Sequence, residues 1–306
     1  MFAGEFIKMN FYTEIAANKR KSYLLIILFF GLVVFLGYVI GYFYGSQYFG
    51  LGLAIVIGLV YFLISYYGGA NMILTMTKAK EAAKPKYTNL INTVEGLSIA
   101  AGVSMPKVYV IEDSALNAFA TGRDPKHAAV TVTTGLLDKL NKLELEGVLA
   151  HELSHIKNYD IRVMMLAAVM VGLTVLLSDF MLRSFLWGGG DRKKEGGQLT
   201  VIFIILGLGL AILSPLIGEL IKLAISRKRE YLADASGAML TRYPKGLADA
   251  LRKIKEDPDP LVDHANKATA HLFISSPFRK EKGSVIKNLF STHPPIEDRI
   301  KRLEEL

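Results

Sequence analysis

His151-Glu152-Leu153-Ser154-His155 puts two imidazoles four residues apart, with a carboxylate beside the first. From Leu143 to Asn158 the only helix breaker is Gly147, so the stretch is expected to be helical. At about 3.6 residues per turn, positions 151 and 155 fall on one face. Two imidazoles there can close on one zinc ion, each at roughly 2.0–2.1 Å. Glu152 sits beside the open coordination position, where a carboxylate kept off the metal can take a proton from an activated water. A surface helix could carry two histidines by chance. Here Val148, Leu149, Leu153 and Ile156 surround the motif with apolar side chains, which marks the helix as buried.

A catalytic zinc takes a third protein ligand. His127, His264 and His271 have no partner at helical spacing. Glu230 is the better candidate, because Asp234 follows one turn later on the same helix face. Glu230 could bind zinc while Asp234 accepts the other N–H of a ligand histidine. The same spacing also suits two charges on a solvated helix.

These groups need elements to hold them. The chain has 306 residues, of which 51% are hydrophobic, and a mean hydropathy of +0.32. That is apolar for a soluble protein, and the apolar residues are clustered. Tyr23 to Tyr44 runs without a charge and is long enough to cross roughly 30 Å of hydrocarbon. Leu51 to Tyr67 is a second such run, with Tyr61, Tyr66 and Tyr67 as interface anchors. Ile161 to Leu186 and Thr200 to Ile225 are two further apolar stretches, joined by a polar loop at 188–197. Charges within them, such as Asp179 and Glu219, lie near their ends, which suits snorkelling to an interface. The expected fold class is a mainly α-helical integral membrane protein. It has four candidate transmembrane helices and an α+β, zincin-like domain.

Net charge is +8, which by itself is compatible with nucleic acid. The Lys and Arg gather beside the apolar runs instead, as expected for anionic lipid and the positive-inside bias, so the expected partner is the bilayer and not nucleic acid. Lys8, Lys19, Arg20 and Lys21 precede the first hairpin; Lys78, Lys80, Lys84 and Lys86 follow it; its tip is uncharged. That places both flanks in the cytoplasm. Arg227, Lys228 and Arg229 mark a later cytoplasmic exit, although Arg192, Lys193 and Lys194 in the second hairpin's loop run against the bias. The chain has no Cys, which excludes disulfides and a thiolate ligand.

Between the hairpins the chain changes character. Tyr87, Leu90, Ile91, Val94 and Leu97 recur at helical spacing, and Gly102 and Pro106 end that helix. Lys107 to Ile111, Asn117 to Thr121 and Ala128 to Thr133 read as short strands. Asn158 and Asp160 end the zinc helix, with Asp160 capping the next. After the second hairpin, helices are expected at Pro244 to Glu256 and Ile296 to Glu305, the latter with its charges mostly on a solvated face. The expected division is a membrane hairpin over 1–77, the first catalytic part over 78–160, a second hairpin over 161–225, and the second catalytic part over 226–306. An even number of spans between residues 155 and 230 keeps both on one side of the membrane.

In this order of features the chain resembles the HtpX-type membrane zinc metallopeptidases, relatives of the CAAX prenyl proteases. The resemblance rests on two spans, Asn117-Ala118-Phe119-Ala120, the zinc motif, a second apolar hairpin, Glu230-Tyr231-Leu232-Ala233-Asp234, and the late His293-Pro294. It implies a gluzincin-like domain facing the cytosol, at the inner or plasma membrane. It implies one Zn²⁺ per chain on His151, His155 and Glu230, with Glu152 as base and His293 stabilising the oxyanion. It implies that Asn117, Ala118, Phe119 and Ala120 hold substrate backbone on an edge strand. The work it implies is quality control of misfolded or damaged membrane proteins. Two other functions remain in view. A CAAX-type prenyl-protein protease would usually be longer, with more spans. A zinc transporter or metal sensor would want ligands in mid-span and has no need of Glu152.

Overall fold

The computed structural model describes residues 2–43, 45–170, 173, 227–257, 272–274 and 294–306. The first two helices are long. α1 spans Phe2–Phe43 and α2 spans Gln47–Met76. Within them Ala16–Val39 and Gln47–Met76 are long and apolar enough to cross a membrane. The reversal between them is tight, with Gly45 at φ +76°, a conformation that glycine adopts without strain. The two helices touch through small residues. A Cβ on Gly37 would collide with Ala54, and one on Gly50 with Gly41. Close backbone approach of this kind is how helices associate in a medium where apolar burial drives nothing. Tyr61, one of the three tyrosines read as interface anchors, stacks on Phe29 of α1.

The rest is built on a four-stranded sheet. β1 is Lys80–Glu81, β2 Lys107–Ile111, β3 Ala118–Gly122 and β4 Ala128–Thr133. The order is β1-β2-β4-β3, with β2 and β4 parallel and β3 antiparallel at one edge. The helices are α3 (Thr88–Ala101), α4 (Thr134–Lys139), α5 (Lys142–Lys157), α6 (160–170), α7 (Arg227–Thr241), α8 (Pro244–Glu256) and α9 (Ile296–Glu304). α3 stops at Gly102, which takes a left-handed φ of +68°.

Strand alternation divides the core in two. Ala118, Ala120, Val130 and Val132 face α3, α5 and α8, packing with Val94, Leu149, Leu153 and Leu251. Ile111 and Phe119 face the other way, toward Ile73 of α2 and Met164 and Met165 of α6. The sheet is therefore a plate between the zinc-motif helix and the base of the membrane hairpin. α6 runs along that hairpin, with Val163 and Leu166 packed near Leu25 and Phe29 of α1.

Two expectations change. The strand read from Asn117 begins one residue later, at Ala118. β1 was not anticipated, because two residues carry no periodicity. The last helix keeps most of its charges exposed as expected, with Arg299 the fully buried exception. The apolar stretches beyond residue 170, apart from Leu173, lie outside the described residues, as do the 188–197 loop, Asp179, Glu219, His264, His271 and His293.

Candidate active site

α5 carries the H-E-x-x-H motif. Its first turn is closed by a capping box: Asn141 Oδ1 accepts from the Glu144 N–H at 3.0 Å, and Glu144 Oε2 accepts from the Asn141 N–H at 2.8 Å. Gly147, the one breaker in the helix, sits where α8 crosses. A Cβ there would lie 2.6 Å from the backbone nitrogen of Leu247. α7 makes a similar approach, since a Cβ on Gly237 would come within 3.0 Å of the His151 backbone nitrogen. Glu230, Asp234 and Gly237 lie three and four residues apart on one face of α7. With Gly237 against His151, that face brings Asp234 to His151 and Glu230 to His155, so the two helices run antiparallel.

The side chains meet where this packing points. One nitrogen each from His151 and His155 and one Glu230 oxygen all lie within 4.8 Å of one another. The two Nε2 atoms face each other at 3.1 Å. Glu230 Oε2 is 3.8 Å from His151 Nε2, and Oε1 is 3.5 Å from His155 Nε2. Each ring turns its other nitrogen to an aspartate: His151 Nδ1 to Asp234 Oδ1 and His155 Nδ1 to Asp160 Oδ2, both at 2.9 Å. A proton on each Nδ1 satisfies both aspartates and leaves both Nε2 lone pairs aimed at the same space. Two lone pairs and a carboxylate converging there call for a cation.

Charge gives the same answer. Glu152, Asp160, Glu230 and Asp234 are all buried, against two buried guanidinium groups, Arg229 and Arg299. Among the described residues, buried carboxylates outnumber buried guanidiniums here, a balance that favours a bound cation. The field acts on His155. Burial lowers its pKa, but the Asp160 hydrogen bond and the charges of Glu230, Asp160 and Glu152 outweigh that and raise it to about 9. Asp234 goes the other way. Burial raises it, yet Arg299 and the His151 hydrogen bond hold its carboxyl below the ordinary range.

Several of these residues carry no signal for the role they take. Asp160, read as a helix cap, holds His155. Arg229, read as a membrane-flanking charge, is 2% exposed with Nη1 3.0 Å from Asp160 Oδ1. Arg299 donates from Nε and Nη2 to the two oxygens of Asp234. Each ligand-type histidine is thus backed by an aspartate, and each aspartate by an arginine. The five-residue step from His155 to Asp160 was the one local clue. His127, the competing ligand, is instead hydrogen-bonded to Asp124 at 2.8 Å.

On the sheet edge, Asn117 is buried and its main chain is tied to Thr133. Its Oδ1 accepts the Ala118 N–H at 3.1 Å. Since the Asn117 carbonyl bonds toward β4, alternation turns the main-chain groups of Ala118 and Ala120 outward. The Ala118 carbonyl accepts from the Ile274 N–H at 2.9 Å on that side. The Phe119 ring is buried against Phe273, with centroids 5.0 Å apart.

Comparison with known proteins then decides the family. The signature of Peptidase family M48 matches residues 85–306. The chain belongs to peptidase family M48. A protease HtpX homolog of Dictyoglomus thermophilum is 49% identical, over 96% of this chain and 94% of that one. Another, from Caldanaerobacter subterraneus subsp. tengcongensis, is 47% identical over 98% and 99%. Among solved structures, S. mikatae Ste24p matches with a TM-score of 0.51 at 19% identity, covering 96% of this chain and 67% of that one. The last likeness is one of fold. M48 membership, together with α1 and α2, makes the chain a membrane-bound metalloprotease.

Proposed function

We propose that the chain is a zinc-dependent endopeptidase that holds one Zn²⁺ on His151 Nε2, His155 Nε2 and the Glu230 carboxylate. The observation that carries this reading is the convergence of those three buried donors within 4.8 Å of one another. When bound, the ion would polarise the scissile carbonyl and lower the pKa of the attacking water. The chain's own groups do the rest. Asp160 and Asp234 keep the Nδ1 protons and so present the Nε2 lone pairs. Arg299 keeps Asp234 ionised. Glu152 takes a proton from the attacking water and passes it to the leaving amine. His293, as the family resemblance implies, would stabilise the oxyanion.

Substrate would lie extended along β3. The outward main chain at Ala120 can pair with it as a further strand does, and such pairing reads backbone more than sequence. That suits unfolded or damaged membrane proteins, and hence quality control. We place residues 78–160 and 226–306 together in the cytosol, as two parts of one catalytic domain divided by a second hairpin over 161–225. Four spans in the inner or plasma membrane result. The basic flanks of the first hairpin and the packing of α6 along it support this arrangement.

The test is cleavage of a denatured protein by the purified full chain. A chelator should abolish it and one equivalent of zinc should restore it. Cleavage indifferent to the chelator would remove the metal from the mechanism.

A further inference from the structure

Asn18 is a polar residue in a hydrophobic setting. It lies within the apolar Ala16–Val39 stretch of α1 and is 0% exposed. An amide buried there is costly unless its hydrogen bonds are made. Its Nδ2 donates twice, to Asp160 Oδ1 at 2.6 Å and to the Asn158 carbonyl at 2.7 Å. Both acceptors belong to the turn that joins α5 to α6.

That turn is strained. Tyr159 has φ +61°, a region that a bulky side chain seldom occupies and that the surroundings must hold in place. Two cations lie against its ring. The Lys19 ammonium lies 4.9 Å from the ring centroid, and the Arg162 guanidinium lies at 4.9 Å as well. About two turns along α1, Leu25 packs near Val163 and Leu166. The first membrane helix therefore clamps the end of the zinc-motif helix.

The clamp reaches the metal site through one carboxylate. Asp160 Oδ2 faces His155 Nδ1, while Oδ1 faces Asn18 Nδ2 and Arg229 Nη1. An interhelical hydrogen bond from Asn is ordinarily glue between helices. Here its acceptor is the group that orients a ligand-type histidine. Without the amide, Arg229 is the partner left on Oδ1 among the described residues, and the carboxylate can rotate toward it and away from His155.

We infer that Asn18 is a positioning residue for the metal centre: the first membrane helix, acting through Asp160, sets the orientation of His155 and with it the affinity for the metal. This rests on the reading of His155 as a ligand. Groups that bond a ligand histidine directly, as Asp160 does, commonly change metal affinity by about 10–100-fold; Asn18 stands one step further out, so its effect falls at the low end, about tenfold.

The test uses the full chain in detergent. Zinc affinity is measured by competition with a chromophoric chelator, Co²⁺ binding is followed by its visible absorption bands, and the metal-free melting temperature is recorded. Asn18→Leu removes the amide at nearly the same volume. Asn18→Ala covers the case in which leucine itself disturbs the contact. Ser22→Ala is the control, because Ser22 is buried on the same face and its hydroxyl bonds to the Asn18 carbonyl of its own helix. Both Asn18 variants should bind zinc about tenfold more weakly and shift the Co²⁺ bands. Ser22→Ala should match the wild type in both. Wild-type affinity and spectrum in the Asn18 variants overturn the inference. So does an equal loss in Ser22→Ala, which would reduce Asn18 to packing. A wild-type chain that binds neither ion overturns the metal-site reading itself.

Discussion

Arg299 grips Asp234 through two parallel hydrogen bonds, Nε to Oδ2 at 2.9 Å and Nη2 to Oδ1 at 2.7 Å. Both residues are buried, and Arg299 also lies 3.7 Å from Glu230 Oε2. A helix 65 residues downstream of Asp234 thus closes the histidine side of the site. Removing one member of a buried ion pair leaves the other charge uncompensated, at a cost of about 3–5 kcal/mol. Arg299→Ala should therefore unfold at markedly lower denaturant and bind metal weakly. Arg299→Lys should recover little, because an ammonium cannot match the planar fork. Denaturation midpoints of the two variants check this, and a wild-type midpoint in Arg299→Ala would show that Asp234 does not depend on it.

What could be read from the chain, and what could not, divides along the range of the interactions. The zinc-motif helix, Glu230 and Asp234 announce themselves through i,i+4 spacing, which is local. The strands at Lys107–Ile111 and Ala128–Thr133 do so through β-rich runs. Arg299, Arg229 and Asn18 are invisible, because a buried arginine and a solvated one look alike until the partner carboxylate is placed. Asn18 meets Asp160 across 142 positions of sequence. No periodicity spans that distance. Asp160 was within reach, five residues from His155, but capping offered a simpler reading for an aspartate at a helix boundary.

The edge strand can be tested by its register. Ala120 turns its main chain outward and Phe119 turns its main chain toward β4. Proline removes one donor in either case. Ala120→Pro should keep its melting temperature near wild type and raise KM by roughly five- to tenfold, the worth of one hydrogen bond of about 1 kcal/mol. Phe119→Pro should lower the melting temperature, since it breaks the β3–β4 ladder. Unchanged KM in a folded Ala120→Pro would take substrate off this strand.

Topology is open to single-cysteine labelling, since the chain contains no Cys of its own. Ser46 at the hairpin tip and Ser114 beside the sheet are both exposed. An impermeant thiol reagent applied to intact cells should label Ser46→Cys and spare Ser114→Cys until the cells are broken. The opposite pattern would invert the orientation and put the catalytic domain outside.

The central claim is that two buried carboxylates, Glu152 and Glu230, have different roles at one metal ion. Zinc analysis of purified variants beside their peptidase rates measures it directly. Glu152→Gln should retain about one zinc per chain, as the wild type does, while losing activity by roughly 10²–10⁴-fold. Glu230→Ala should lose both zinc and activity. Full zinc retention in Glu230→Ala, or loss of zinc in Glu152→Gln, would contradict the account.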